Sequence, residues 1–520
     1  MSLDYKYQNF YEAIEHNAKV NPSKPVIFIE KRKVDNLHFK RKIDTFARFL
    51  EFSGVKSRDK IAMIVGNSEE FMISLFAITK IGAIVVPVNT FLKHEEFEYI
   101  LNDCSAKMLI SSPSFSKETK NLINSTPIEK IVWTEEYDSL DDKNFSFSEI
   151  TASNEAHEQL LTPPKLDDLA CIVYTSGTTG KPKGAMLSYR NIFSNTWAGQ
   201  KAFEVNEEDR FMVFLPMFHA FTLSVMVILP VMTNSSVIIV KSVFPFANVL
   251  KQALLRRATI FLGVPSLYNS LVKAKIPWYF MWFNKIRVFI SGSAALSESV
   301  INDFSAKFKN AVLTEGYGLS ECSPAVSVNR LDKQKPLSVG LPLESFEIKI
   351  VDEEMVEMPI GEVGEIIVKG DCVMQGYLNR PDATDEVKVN DWLFTGDLGK
   401  IDEDGFLYIV DRKKDLIISK GINIYPREIE EVLALYEGVD TAAVIGIKNE
   451  LNDEEVMAFI QPNDDAELNE IEIKKYLKSH LANFKVPKHI YFVEELPKNA
   501  TGKVLKRILK EQVQKGEFNR

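Results

Sequence analysis

Eleven consecutive residues, YTSGTTGKPKG from Tyr174 to Gly184, bring together the groups that hold a polyphosphate. Thr175, Ser176, Thr178 and Thr179 supply hydroxyls, and Lys181 and Lys183 supply cations. Gly177, Gly180 and Gly184 permit backbone conformations that line up exposed N–H groups, so the composition suits an anion cradle. It is not the ordinary phosphate loop, which needs G-x-x-x-x-G-K-[ST] running into a helix: Gly177 and Gly180 are three apart, and Pro182 follows Lys181.

Four other segments carry usable chemistry. In GYGLSE, Gly316 and Gly318 allow backbone to approach a ligand, Tyr317 offers a flat face for a purine, Ser320 a phosphate donor and Glu321 a hard oxygen for Mg²⁺. Asp397, in FTGD, is an acceptor suited to vicinal ribose hydroxyls, and Arg412, fifteen residues later, adds donors. Gly292, Ser293 and Ala294 are small residues after an apolar strand and leave room for a flat base. His219, in PMFHAF, has no partners that would make a Ser-His-Asp or metal constellation, so it reads as a lining residue rather than a general base.

These segments need elements to position them. Short β-branched and aromatic runs recur near 60, 83, 108, 169, 211, 236, 259 and 286, with helical stretches such as 69–81 and 246–257 between many of them. That alternation predicts an α/β fold with largely parallel sheets. From about 338, Gly and Pro punctuate alternating strands, which predicts a small β-rich section. The expected division is a large domain over 1–411, a charged hinge at 412–414 and a compact α+β domain over 415–520. In that last domain YPREIEEVLALYEG reads as a helix stopped by Gly438, and Lys503 falls in a loop near the chain end.

Composition excludes several classes. A net charge of −10 lacks the positive balance that binding nucleic acid needs. Cys104, Cys171, Cys322 and Cys372 form no C-x-x-C pair and have no neighbouring His at metal-ligand spacing, which fits reduced thiols in a cytoplasmic protein. The start has no signal-peptide apolar stretch, and the longest apolar runs are interrupted. The aromatic segment from Ile276 to Phe283 is flanked by Lys273, Lys275, Lys285 and Arg287. Trp278 and Trp282, four apart on a helix, are expected to pack beneath the following strand; the alternative is peripheral contact with the inner face of a membrane.

The segment from Tyr174 resembles the phosphate loop of the adenylate-forming superfamily: acyl-CoA synthetases, peptide-synthetase adenylation domains and luciferases. The resemblance continues in order through LPMFHAF at 215, GVPSLYN at 263, ISGSAAL at 290, EGYGLSE at 315, GEIIVKGDCVMQGYLNRPDAT at 364, DWLFTGD at 391, DRKKDLIISKG at 411 and PKNATGK at 497. It implies that Thr175, Ser176, Gly177, Thr178, Thr179, Gly180 and Lys183 contact ATP phosphates. It further implies that Gly292, Ser293, Ala294, Glu315, Gly316, Tyr317, Gly318 and Ser320 surround the nucleotide, with Asp397 and Arg412 on the ribose. Glu321 would hold Mg²⁺, and Lys503, Thr178 and Glu321 would be catalytic. His219, Phe221, Leu223, Gly263 and Gly318 would line the acyl site. Lys414 would be the hinge, and Gly421 would touch the CoA tunnel.

The resemblance implies a two-step ligase that uses ATP and CoA with Mg²⁺: carboxylate and ATP give acyl-AMP, then the thiol gives acyl-CoA. DRKKDLIISKGINIYPREIEEVL most resembles bacterial long-chain fatty acyl-CoA synthetases, leaving medium-chain and aryl acids, and a carrier-protein thiol, as alternatives. A peptide-synthetase domain fits less well, because the chain ends at Arg520 without a carrier domain and no amino-acid-anchoring Asp occurs around 217–225. A luciferase shares the motifs, and a nonenzymatic nucleotide-binding protein is disfavoured by the intact Lys503, Glu321 and Asp397. The oligomeric state is left open, with a homodimer among the options.

Overall fold

The computed structural model describes residues 6–137, 140–152, 163–175, 181–243, 245–292, 294–419, 422–449, 453–463, 466–498 and 503–518. Two large sheets dominate the first part of the chain. The eight-stranded sheet has a parallel centre, including Lys60–Ile64, Ile84–Pro87 and Leu169–Thr175, and two antiparallel strands at one edge, Lys183–Ser188 and Gly376–Tyr377. The nine-stranded sheet has a parallel run in the order Val312–Gly318, Val288–Ser291, Ile260–Gly263, Arg210–Val213, Ser236–Ile239. Apolar strands buried along their whole length, such as Ser236–Ile239 and Val288–Ser291, are what a sheet covered on both faces selects.

The parallel run explains why dispersed motifs meet. Gly263 pairs with Ser291, and Ser291 with Glu315, so the last residues of two strands stand beside the middle of the third, Val312–Gly318. The segments after Val213, Gly263 and Ser291, and the strand end at Gly318, therefore emerge along one edge. Ligands of open α/β sheets gather at that edge.

A five-stranded antiparallel sheet follows, built from Glu347–Val351, Gly364–Lys369, Lys388–Val389, Trp392–Ile401 and Leu407–Arg412. The last section holds the pair Ile417–Ser419 and Ile422–Ile424, then the sheet of Val439–Lys448, Glu454–Pro462 and His489–Phe492. Helices Pro426–Ala434 and Glu470–His480 supply Ile429, Leu433, Ile473 and Leu477 to one core; Leu509 of Lys506–Gln514 joins a second with Phe459 and Leu496.

The fold class is as expected; the extent of one helix and the packing of two tryptophans are corrected, and two elements are added. The helix from Pro426 ends at Ala434; Gly438 (φ +94°) instead forms the turn into Val439. Lys503 lies in a loop as expected, and the helix Lys506–Gln514 that follows it forms because Leu509 and Val513, four apart, pack on the sheet. Thr222–Ile228 forms a buried π-helical stretch. In the short helix Trp278–Phe283 only Phe280 is buried, and Trp278 and Trp282 are 70% and 80% exposed, so they do not pack beneath the next strand. No helix of the described residues is long and apolar enough to cross a membrane.

Candidate active site

The phosphate-loop segment begins and ends on two paired antiparallel strands. Tyr174 pairs with Gly184 and Thr175 with Lys183, fixing both feet of the loop. Ser176, Gly177, Thr178, Thr179 and Gly180 lie outside the described residues. Gly184 serves close packing rather than an unusual conformation: a Cβ there would meet Ile172 at 2.8 Å and the Tyr174 ring at 3.1 Å. The Tyr174 hydroxyl donates to Asp103 (2.7 Å), which also pairs with Arg380 (3.1 Å), so the outer face of the hairpin is braced.

Glu321 faces the foot of this loop. Its Oε1 accepts from the Tyr377 hydroxyl at 2.8 Å and from Thr175 at 3.5 Å, while the Lys183 ammonium lies 5.2 Å from the Tyr377 ring centroid. Burial and the Glu321 charge push the Tyr377 phenol well above its ordinary value, so Tyr377 is a fixed neutral donor. Carboxylate, hydroxyl and phenol are all hard oxygen groups, and Mg²⁺ suits a site with one carboxylate and substrate phosphates as the remaining ligands. Among the described residues no three His, Cys, Asp or Glu side chains could hold a metal unaided.

A second cluster lies at the junction with the C-terminal section. The hairpin Trp392–Ile401/Leu407–Arg412 sets Asp397 opposite Arg412, with Arg412 Nε 3.5 Å from Asp397 Oδ1. The Tyr317 hydroxyl donates to Asp397 Oδ2 (2.7 Å), joining strand Val312–Gly318 to this hairpin. Lys503 reaches the same place. Its ammonium is pushed down to about 8 by burial and by Arg412, against the opposing pull of Asp397 and Asp415. Lys503 therefore stands near a carboxylate and a guanidinium.

The segment is held there by its own domain. Arg427 donates from its backbone N–H to Asp411 Oδ2 and from its guanidinium to the Ile409 carbonyl, both at 2.9 Å, tying helix Pro426–Ala434 to strand Leu407–Arg412. Lys506, three residues after Lys503, pairs with Glu430 on that helix at 2.7 Å. Lys414 is exposed in a one-turn 3-10 helix between the two sections, and its neighbour Lys413 bonds Glu365 at 2.8 Å. Gly421 lies outside the described residues.

On the third side, Phe221 presses against Gly292: a Cβ there would stand 2.5 Å from the ring, so the PMFHAF segment meets the strand end only because residue 292 is glycine. His219 Nδ1 accepts the Phe221 N–H at 3.4 Å, and burial pushes the imidazole below its ordinary value, which favours the neutral form. Leu223 is buried in the main core. Two of the glycines are required by their own chain. The Cβ side of Gly263 is filled by Leu267 and Tyr268 at 2.9 Å, and that of Gly318 by the Pro324 carbonyl at 2.0 Å, so both make room for their own chain. Glu315 Oε1 accepts the Leu296 N–H (2.8 Å) and is pushed up to about 7 by burial, bracing the loop after Gly292. Ser320 opens a short 3-10 turn beside Glu321; Gly316 lies at the strand end; Ala294 is described, and Ser293 is outside the described residues.

The family of AMP-binding enzymes matches residues 14–378, and the C-terminal domain of AMP-binding enzymes matches residues 428–503. The chain belongs to that family. This AMP-binding enzyme is similar to the long-chain-fatty-acid–CoA ligase of Salmonella typhimurium, 32% identical over 98% of this chain and 95% of that protein. It is also 33% identical to a feruloyl-CoA synthase of Amycolatopsis, over 90% of this chain and 91% of that one. Among solved structures, an anthranilate CoA ligase, AuaEII, in complex with anthranoyl-AMP superposes with a TM-score of 0.90 at 26% identity, covering 98% of each chain.

Sequence reasoning missed three residues of the enzyme's site. Tyr377 stands within the segment 364–384 already singled out, and the Gly376 before it (φ +152°) was the available signal for a built position. Glu365, which bonds both Lys413 and the Gly396 N–H, and Arg427, which ties the two sections, gave no signal, because each acts through folding that brings distant segments together.

Proposed function

We propose that this adenylate-forming acid–CoA ligase activates long-chain fatty acids. The observation that carries the two-step reading is the place of half-buried Lys503, close enough to Asp397 and Arg412 for both charges to act on its ammonium, while Glu321, Tyr377 and Thr175 gather at the foot of the phosphate-loop segment. Asp397 would accept hydrogen bonds from the ribose hydroxyls, and the hairpin loop with Lys183 would bind the β- and γ-phosphates. Lys503 would bridge the fatty carboxylate and the α-phosphate, two anions that repel until a cation stands between them. The carboxylate oxygen attacks the α-phosphorus, the bond to the pyrophosphate oxygen breaks, and acyl-AMP forms. The sulfur of CoA then attacks the acyl carbon, AMP leaves with the bonding pair, and the thiol proton passes to solvent. Mg²⁺, held through Glu321, would neutralise phosphate charge.

No covalent enzyme intermediate is needed, and the four cysteines fit that: all are buried, and burial pushes Cys104 and Cys372 up to about 12. We assign residues 1–411 to the nucleotide and acyl domain and 415–520 to a domain that turns about Lys414. That turn would exchange Lys503 for Gly421 between the steps.

Identity to the Salmonella ligase over almost the whole chain supports a fatty acid over an aryl acid, and so does the wholly buried apolar π-helical stretch after Phe221. The similarity to the feruloyl-CoA synthase makes the aryl acid the competitor to test. Acid-dependent ATP–pyrophosphate exchange, followed by acyl-CoA formation, should give a higher kcat/KM for long-chain fatty acids than for ferulate or benzoate. The reverse order would overturn the substrate assignment, and no exchange with any carboxylic acid would overturn the adenylation itself.

A further inference from the structure

Between Arg210 and Ser297 the chain contains nine Lys and Arg and not one Asp or Glu, although the whole protein is at −10. Within this stretch stands the short helix Trp278–Phe283. Its inward side chains are Phe280, which is 3% exposed, and Met281, which packs on the same core. The other four, Trp278, Tyr279, Trp282 and Phe283, are 70%, 47%, 80% and 62% exposed. Their i, i+1, i+4, i+5 spacing puts them on one face of the helix. Lys273, Lys275 and Lys285 flank it; all are exposed, and none forms an ion pair among the described residues. Arg287 does not contribute, because its charge is met by Asp209 at 2.8 Å.

We propose that this aromatic face docks the enzyme reversibly on an anionic phospholipid bilayer. Trp and Tyr rings are amphipathic and favour the headgroup layer, and lysines on long stems reach anionic phosphate while their methylenes lie along the apolar boundary. Charge decides between occupants. A two-fold contact with a second copy would set each copy's Lys273, Lys275 and Lys285 against the same lysines, and the stretch from Arg210 to Ser297 has no carboxylate to relieve them. A negatively charged lipid surface meets all of them at once. Four rings are too few for a stable anchor, so the contact is peripheral and salt-sensitive. Helix Pro265–Lys273 starts two residues after Gly263 and ends at this face, about 13 Å away by its rise per residue. The inference needs no particular acyl substrate and stands apart from the catalytic reading.

The test is co-sedimentation of the full chain with phosphatidylglycerol or phosphatidylcholine vesicles, with tryptophan fluorescence read in parallel. Wild type should pellet with the anionic vesicles at low salt, release at high salt and show a blue-shifted emission. Trp278→Ser/Trp282→Ser should bind on the order of tenfold more weakly and lose the blue shift, with an unchanged melting temperature and unchanged ATP–pyrophosphate exchange in solution. Lys273→Glu/Lys275→Glu/Lys285→Glu should abolish pelleting with the rings intact. Equal binding to phosphatidylcholine, wild-type binding unaffected by either variant, or no wild-type binding at low salt would overturn the proposal. So would a concentration-dependent dimer that the double variant loses, or unfolding of that variant, because the rings would then serve another copy or the core.

Discussion

The clearest quantitative consequence of the site concerns Lys503. An ordinary lysine titrates at 10.5, whereas burial and Arg412 bring this one down to about 8. If its ammonium must stand between carboxylate and α-phosphate, the competent fraction of free enzyme is about nine-tenths at pH 7, half at pH 8 and about one-tenth at pH 9. The first half-reaction, followed as acid-dependent ATP–pyrophosphate exchange, should therefore lose kcat/KM for ATP about tenfold per pH unit above 8. Because bound phosphates favour the charged form, the alkaline limb of kcat should lie at higher pH than that of kcat/KM. Lys503→Arg keeps the cation at every accessible pH and should remove the limb, at some cost in rate from the altered shape. Lys503→Ala should lower exchange by on the order of 10²–10³, while supplied acyl-AMP still reacts with CoA. A wild-type profile that stays flat to pH 10, or an Arg variant with the same limb, would refute the reasoning.

Four further outcomes follow. Glu321→Asp should raise the Mg²⁺ concentration needed for half-maximal exchange, Glu321→Gln should raise it further, and Tyr377→Phe, which removes only a 2.8 Å hydrogen bond to that carboxylate, should raise it least; three unchanged metal titrations would remove the cluster from metal binding. Gly421→Leu should leave acyl-AMP formation intact and slow thioesterification, as a rapid-quench comparison of the two steps would read. Glu315 titrates at about 7 in the folded state, above its unfolded value, so native protein binds more protons between about 4.5 and 7 and loses stability as pH rises through that window. Glu315→Gln should accordingly melt higher than wild type above pH 7, by on the order of 1–3 kcal/mol in stability, and match it near pH 4. Gly318→Ala, whose Cβ would fall 2.0 Å from the Pro324 carbonyl, should unfold several degrees lower or fail to accumulate.

What could be read from the chain beforehand divides along a physical line. Most central parallel strands announce themselves because full burial on two faces demands an unbroken apolar run, and all eight of the runs noted near 60 to 286 are strands, whereas the parallel strands Pro25–Ile29, Lys130–Trp133 and Asn144–Ser146 are not among them. Chemistry carried within one loop is equally visible, since FTGD and GYGLSE need no partner to be recognised. The glycines were harder to read, because a glycine required for a ligand and one required by its own chain look alike in sequence. Gly184, Gly263 and Gly318 are of the second kind, and only the positions of Tyr174, Tyr268 and Pro324 reveal it.

The same line separates Trp278 and Trp282 from Leu509 and Val513. Both pairs are four apart on a helix, the spacing that marks a buried stripe, yet the first pair is exposed and the second is packed. Spacing fixes which side chains share a face; it does not say whether another element covers that face. Leu509 and Val513 meet a sheet whose Phe459 and Ile445 need covering on that side. Phe280 and Met281 already satisfy the core beneath Trp278–Phe283, so the opposite face of that helix has nothing inside the molecule left to cover. Four aromatic rings exposed together, in a stretch with no acidic residue from Arg210 to Ser297, form the kind of apolar patch that marks an interaction surface.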